Sequence, residues 1–89
     1  TMEEVLFKTE TVHDRDEIAD YLEQVAENLR HGTVTLVSGD DEITVEPPQT
    51  ATFEVKVERE TNGDEEMSVE FEVEWDVGDD DTDTGLSVE

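Results

Sequence analysis

The clearest periodic segment of the chain is an apolar stripe at helical spacing. Ile18, Leu22, Val25, Ala26 and Leu29 recur at i, i+4, i+7, i+8 and i+11, which places them on one side of a helix. Asp14 precedes the stripe as an N-cap, Glu17 follows at capping-box spacing, and Gly32 is the expected stop signal. The pattern predicts an amphipathic helix from about Asp14 to His31.

Alternating apolar and polar residues predict strands on both sides of this helix. A first strand is expected at Val5–Thr11, before the helix. A hairpin is expected at Thr33–Val37 and Glu42–Glu46, joined by a Ser-Gly-Asp-Asp turn. Pro47 and Pro48 end this hairpin, because proline has no N–H to contribute to a strand ladder.

The second half of the chain predicts a longer hairpin. Apolar residues alternate with polar ones before and after a turn signal at residues 61–64. The apolar set comprises Phe53, Val55, Val57, Met67, Val69, Phe71, Val73 and Trp75. The residues between them are mainly glutamate, so each strand has one apolar and one acidic face. A shift of one residue in the pairing would exchange these faces, and we therefore expect a firmly fixed register.

Together these elements predict an α+β fold in the order β-α-β-β-β-β. A single helix packed on one face of a mostly antiparallel sheet is the simplest way to bury both apolar faces. We expect one domain over residues 3–76, with a core built from Phe7, the helix stripe and the apolar residues of the strands. Residues 77–89 contain two glycines and five acids, and we expect them to form a disordered acidic tail.

The balance of charged residues indicates the salt concentration in which the protein works. Asp and Glu number 28 against 5 Lys and Arg, giving a formal net charge of −23. Such a charge repels itself in dilute salt, whereas at 1 M salt the Debye length is about 3 Å and the repulsion is largely screened. The acids mostly alternate with apolar residues, which favours a folded acidic surface over disorder. We therefore expect a halophilic, cytoplasmic protein surrounded by the bulk cations of molar salt.

Composition also argues against several classes of protein. The chain has no cysteine, which excludes disulfides, thiolate zinc sites and a cysteine nucleophile. A strongly negative chain is not expected to bind nucleic acid directly, because phosphate contacts need clustered Lys and Arg. No stretch is long and apolar enough to span a membrane, and we expect no signal peptide.

Candidate catalytic and metal-binding groups are sparse. His13 and His31 lie at opposite ends of the predicted helix, so they cannot share a metal or a catalytic pair within one chain. The acidic run at residues 79–83 lacks the spacing of an EF-hand loop. There is no glycine-rich phosphate loop and no serine with a plausible base. We expect no enzymatic activity, no catalytic residues, no metal site and no cofactor.

Two features are candidates for interaction. Trp75, the one tryptophan, is either an exposed anchor for a partner or a cap on the core at the sheet edge. Glu70, Glu72 and Glu74 form an acidic ladder on one strand face. The ladder would bind a basic partner or hard cations, mimic the charge of nucleic acid, or simply be a solvated face.

Several of these segments resemble a known family. The residues that carry the resemblance are Glu4–Lys8, the capped helix, Val45–Pro48, Phe53–Glu58 and the final amphipathic strand ending in Glu74 and Trp75. In this order and spacing they resemble the amphi-Trp domain, a small family known chiefly from haloarchaea and named for that strand and its tryptophan. The resemblance covers about residues 3–76. It implies a haloarchaeal origin, but no catalytic residues and no mechanism.

Two function classes remain open. The first is a protein-interaction module that self-associates or docks on a larger protein, through an uncovered sheet face or an outer strand. The alternative is an acidic decoy or regulator that occupies the cationic, nucleic-acid-binding site of a partner. Reversing Glu70, Glu72 and Glu74 to lysine separates the two, because only the decoy depends on those charges.

Overall fold

The computed structural model describes residues 2–78. The elements are α1 (Arg15–His31), β1 (Val34–Ser38), β2 (Asp41–Val45), β3 (Thr52–Glu60) and β4 (Glu66–Glu74). The strands form two antiparallel two-stranded sheets, β1-β2 and β3-β4. The predicted α+β class, with a helix followed by four strands, is confirmed.

The chain divides into two compact units, Thr1–Pro47 and Pro48–Glu89. The first unit contains α1 and the β1-β2 sheet, and the second contains the β3-β4 sheet. Our expectation of one domain over residues 3–76 stays a prediction. The predicted tail falls outside the described residues, except for residues 77 and 78.

Helix α1 begins and ends where its capping residues predict. The Asp14 carboxylate accepts a hydrogen bond from the Glu17 N–H at 2.8 Å, and the Glu17 carboxylate accepts one from the Asp14 N–H at 3.2 Å. At the other end Gly32 has φ 87°, and the Thr33 N–H donates to the Asn28 carbonyl at 3.3 Å. This left-handed glycine with its back-donating neighbour is a common helix stop. Within residues 2–78, no helix has both the length and the apolar content that a membrane crossing requires.

The short hairpin β1-β2 follows the predicted register. Val34 pairs with Val45 and Leu36 pairs with Ile43, so the apolar residues share one face. The turn is shorter than expected, because Ser38 and Asp41 also pair and leave a two-residue loop. Gly39 begins this loop with φ 59°, a conformation that glycine adopts without steric strain.

Helix α1 packs against β1 at the carboxyl end of the helix. The Asn28 side-chain carbonyl accepts a hydrogen bond from the Thr35 N–H at 3.1 Å, which ties the last turn of the helix to the strand. Val34 lies in this corner of the unit and is 6% exposed. It is the one buried hydrophobic residue in the described part of the chain.

The predicted first strand at Val5–Thr11 is wrong. These residues form no regular secondary structure and join no strand ladder in the described chain. The Ser38 hydroxyl donates to Thr9 Oγ1 at 3.4 Å, and Phe7 is half-buried. Residues that favour strands form one only when a neighbouring strand pairs with their N–H and C=O groups. The alternating pattern indicated the propensity of this segment but not a pairing partner.

The described strands pair as two hairpins and not as one sheet. Many of the residues expected in the core are exposed. They include Ile18, Leu22, Leu29, Phe53, Val55, Val57, Met67, Val69 and Phe71. A core needs a second layer over each apolar face, and periodicity predicts the face but not its cover.

Candidate functional site

The long hairpin β3-β4 has two chemically distinct faces. Each strand has nine residues, and the register runs from the Thr52–Glu74 pair to the Glu60–Glu66 pair. Because side chains alternate between the faces of a strand, each cross-strand pair lies wholly on one face. The apolar face consists of Phe53, Val55, Val57, Met67, Val69, Phe71 and Val73, with Arg59 at one end. The acidic face carries Glu54, Glu58, Glu60, Glu66, Glu70, Glu72 and Glu74, with Lys56 near its centre.

The apolar face is continuous and open. Its pairs include Phe53–Val73, Val55–Phe71 and Val57–Val69, so large and branched side chains meet across the strands. The rings of Phe53 and Phe71 stack at 6.4 Å with an interplanar angle of 9°. Apart from Val73, which is half-buried, the apolar residues of this face are between 53% and 64% exposed. The two faces predicted from the sequence are therefore confirmed.

Arg59 is a feature of this face that the sequence analysis missed. It pairs with Met67 at the end of the hairpin farthest from Phe53. Its Nε donates to the Met67 sulfur at 3.4 Å and lies 3.7 Å from a carboxylate oxygen of Glu65. The signal was available, since continuing the alternation two residues beyond Val57 places Arg59 among the apolar side chains. It gives one end of the apolar face a positive charge.

Like charges meet directly on the acidic face. Glu54 pairs with Glu72, and Glu60 pairs with Glu66. Carboxylates placed directly opposite each other on adjacent strands are destabilising. The predicted ladder of Glu70, Glu72 and Glu74 lies along one face of β4, as the alternation requires. A binding role for that ladder stays a prediction.

Lys56 is the cation of this face. It pairs with Glu70 across the strands, and its Nζ lies 3.5 Å from Glu58 and 3.9 Å from Glu70. The carboxylates of Glu58 and then Glu70, with a smaller contribution from Glu54, raise the pKa of Lys56 above its usual 10.5. Glu54, Glu70 and Glu72 surround it in a shallow depression. Lys56 therefore offsets part of the repulsion at the centre of the acidic face.

Three carboxylates of the acidic face lie close enough to share a cation. Oxygens of Glu54, Glu72 and Glu74 are within 4.8 Å of one another. All three side chains are exposed, and Ca²⁺ takes six to eight oxygen ligands. The cluster therefore supplies only part of a calcium shell, and it suits loosely held cations from bulk salt.

Trp75 directly follows β4 and is half-buried. It continues the alternation of Phe71 and Val73, of which Val73 is also half-buried. Burial of the chain therefore increases towards this end of the strand. The two roles considered for Trp75, partner anchor and core cap, both stay predictions.

A hydrogen-bonded chain at the start of α1 was not foreseen. Thr11 Oγ1 is 2.7 Å from His13 Nε2, and His13 Nδ1 is 3.2 Å from a carboxylate oxygen of Glu17. The Tyr21 ring meets the His13 ring edge-on at 5.2 Å. Hydroxyl, imidazole and carboxylate follow one another as in a nucleophile–base pair. However, Thr11 and Glu17 are exposed, and Glu17 also belongs to the capping box, so this arrangement serves to anchor the helix start. The i, i+4 spacing of His13 and Glu17 was the available signal.

Comparison with known proteins places the chain in a family. The model of the Amphi-Trp domain matches residues 1–89, which extends beyond the residues 3–76 that carry the resemblance in the sequence. No curated protein and no solved structure matches the chain. The family match covers both structural units and includes β4 and the Trp75 that follows it. The chain therefore belongs to the Amphi-Trp domain family.

Proposed function

We propose that this protein is a non-catalytic protein-interaction module. The observation that carries the proposal is the open apolar face of β3-β4, on which six apolar side chains are more than half exposed. Exposed apolar surface that is contiguous and rimmed by polar residues marks interaction sites in soluble proteins. A two-stranded hairpin is also marginally stable in water unless a further layer covers it.

The acidic face, on the opposite side of the hairpin, also supports the interaction-module proposal. Its seven glutamates keep that face hydrated and leave the apolar face as the side available for association. Arg59 is the charged residue on the apolar face, and Glu65 already lies beside it. The partner surface that suits this face is therefore apolar and not strongly charged.

The proposal includes the environment of the protein, a cytoplasm with molar salt. A net charge of −23 on 89 residues suits a cytoplasm with molar salt, as in haloarchaea. Paired carboxylates such as Glu54 and Glu72 repel each other in dilute buffer, and screening weakens that repulsion. Bulk cations near these carboxylates are part of this environment.

The acidic face favours one alternative, an acidic decoy that occupies the cationic, nucleic-acid-binding site of a partner. Glu70, Glu72 and Glu74 line one side of β4, with Glu54 opposite Glu72. Such a run of carboxylates offers charge complementarity to a basic surface. A decoy function requires no contribution from the apolar face. Substitutions on one face at a time therefore distinguish the two proposals.

Affinity capture from the protein's own cell lysate, held at molar KCl, tests both. The baits are the wild-type chain, a Val55→Thr/Val69→Thr variant and a charge-reversed Glu70→Lys/Glu72→Lys/Glu74→Lys variant. Threonine keeps the branched shape that suits a strand while making the apolar face polar. An interaction module loses its partner, whether another protein or untagged copies of the chain, only with the first variant. A decoy loses it only with the second, and a bait that recovers nothing in any form rejects both proposals.

A further inference from the structure

Resting on the proposed function, we propose that the partner of the apolar face is the same face on a second copy of this chain. Two β3-β4 hairpins would pack face to face into a two-layer sandwich of four strands. The two-fold axis would lie between the layers and run across the strands.

The distribution of charge allows two copies to meet in this way. All seven glutamates of the two strands project from the opposite face, so packing the apolar faces together leaves every one of them in solvent. Docking the acidic faces would instead bring carboxylates such as Glu54 and Glu72 close to the glutamates of the second copy, where like charges repel. Self-association of so negative a chain therefore has one favourable surface on this hairpin.

The area of the apolar face supplies a large part of what a dimer needs. A specific interface takes roughly 600 Å² or more from each partner. Burying a large apolar side chain removes about 100 Å² from water. Six such side chains are more than half exposed on this face, and each copy contributes the same set. At roughly 60 Å² of exposed area from each, the six side chains supply on the order of 350 Å² per copy, a little over half of that need.

The two ends of the face complement each other, which selects the orientation of the copies. Phe53 lies at one end and Arg59 at the other, both on β3. A two-fold axis across the strands brings Phe53 of one copy over Arg59 of the other, where a guanidinium and an aromatic ring attract. An axis along the strands would instead bring the two Arg59 side chains together. On β4, the favoured axis brings Met67 towards Val73 of the second copy, and the central valines of β3 face each other.

The first test is the mass of the particle that the full chain forms in solution at molar KCl. Sedimentation velocity should give about twice the 10.1 kDa of one chain. The dimer of the Val55→Thr/Val69→Thr variant should have a dissociation constant roughly tenfold or more above that of the wild type. Each substitution replaces a methyl group by a hydroxyl within the contact, and burying a hydroxyl is unfavourable. A wild-type chain that stays monomeric at every concentration would overturn the proposal. If that monomer still captures a different protein through the apolar face, the interaction-module function stands while the second-copy proposal fails.

Cross-linking tests the face and the axis directly. The chain has no cysteine, so single substitutions give unique sites. Facing sheets are about 10 Å apart, farther than a disulfide reaches, so the probe is a short bis-maleimide. Mixing a Met67→Cys chain with a size-tagged Val73→Cys chain should give the mixed dimer, and each alone should give little. A matched pair on the acidic face, Ser68→Cys with Glu72→Cys, should not link. Links within each single variant, or in the acidic pair, would overturn the proposed packing.

Discussion

Glu54 and Glu72 lie directly opposite each other on β3 and β4, so two carboxylates share one rung of the hairpin. Oxygens of Glu74 and of these two residues are within 4.8 Å of one another. Lys56 and Glu70 form the neighbouring pair on the same face, which places opposite charges beside like ones. Repulsion on the first rung and attraction on the second make this face the part of the hairpin most sensitive to salt and pH.

Removing one carboxylate from the repulsive rung should stabilise the protein. Glu72→Gln relieves the pair with Glu54 and should raise the free energy of unfolding by about 0.2–1 kcal/mol at low salt. At molar KCl the gain should shrink, because the Debye length is then about 3 Å. Urea denaturation at several KCl concentrations measures both effects.

Glu3→Gln is the matched control for that change. It removes the same charge from an exposed residue outside the regular elements of the described chain. A similar gain in both variants would attribute the effect to net charge and not to the rung.

Lys56 should stabilise the protein in a pH-dependent way. Its pKa is raised above 10.5 by Glu58 and Glu70, so its charged form is favoured by folding. The stabilisation is therefore complete below pH 10.5 and is lost as pH rises through the raised pKa. Lys56→Gln should be less stable than wild type at neutral pH, and the two should converge in strongly alkaline solution. Denaturation curves at one fixed salt concentration over this pH range measure the difference.

Lys8→Gln provides the comparison for Lys56. Lys8 is an exposed cation outside the helix and strands. If its removal destabilises the chain as much and with the same pH profile, the specific contacts of Lys56 contribute nothing.

Loss of the helix cap should destabilise the first unit. Asp14→Ala removes the acceptor of the Glu17 N–H and should lower the stability of the helix by about 1 kcal/mol. Thermal unfolding followed by far-UV circular dichroism reports the change. Asp20→Ala, an exposed position within α1, is the control and should have little effect or a small stabilising one. Equal destabilisation by the two substitutions would contradict a specific role for the cap.

The whole chain should need salt to keep its structure. We expect the far-UV circular dichroism signal of helix and strand to fall when KCl is reduced from molar to millimolar concentration, because 28 acids face only 5 cationic side chains. Substituting choline chloride at equal ionic strength separates general screening from cation binding. An unchanged spectrum in dilute buffer would reject the halophilic hypothesis.

Local signals in the sequence predicted the elements well. The helix cap at Asp14 and the stop at Gly32 depend on residues within one or two turns, so both were predictable. The two faces of the long hairpin were predictable for a similar reason, since the alternation of neighbouring residues along each strand fixes them. The shorter hairpin was predicted within one residue at each strand end, because its turn allows more than one loop length.

Features that depend on distant parts of the chain were not predictable. Val5–Thr11 has the residues of a strand, but no alternation pattern says which backbone will pair with it. The apolar residues of β3 and β4 were expected in a core, and periodicity does not say whether a cover lies in the same molecule. The like-charge pairs were hidden for the same reason, since opposing Glu54 to Glu72 requires the register and not just the pattern.

The strict alternation of the long hairpin divides its sequence positions by parity. From Phe53 to Val73, odd-numbered strand positions form the apolar face with Arg59 at its end, and even-numbered positions form the acidic face. Substitutions at even positions therefore change the charge of the acidic face while leaving the apolar face intact. The reverse holds at odd positions. We predict that a version of this protein for low-salt work can be made by substituting even-numbered glutamates alone, because the apolar face is then unchanged.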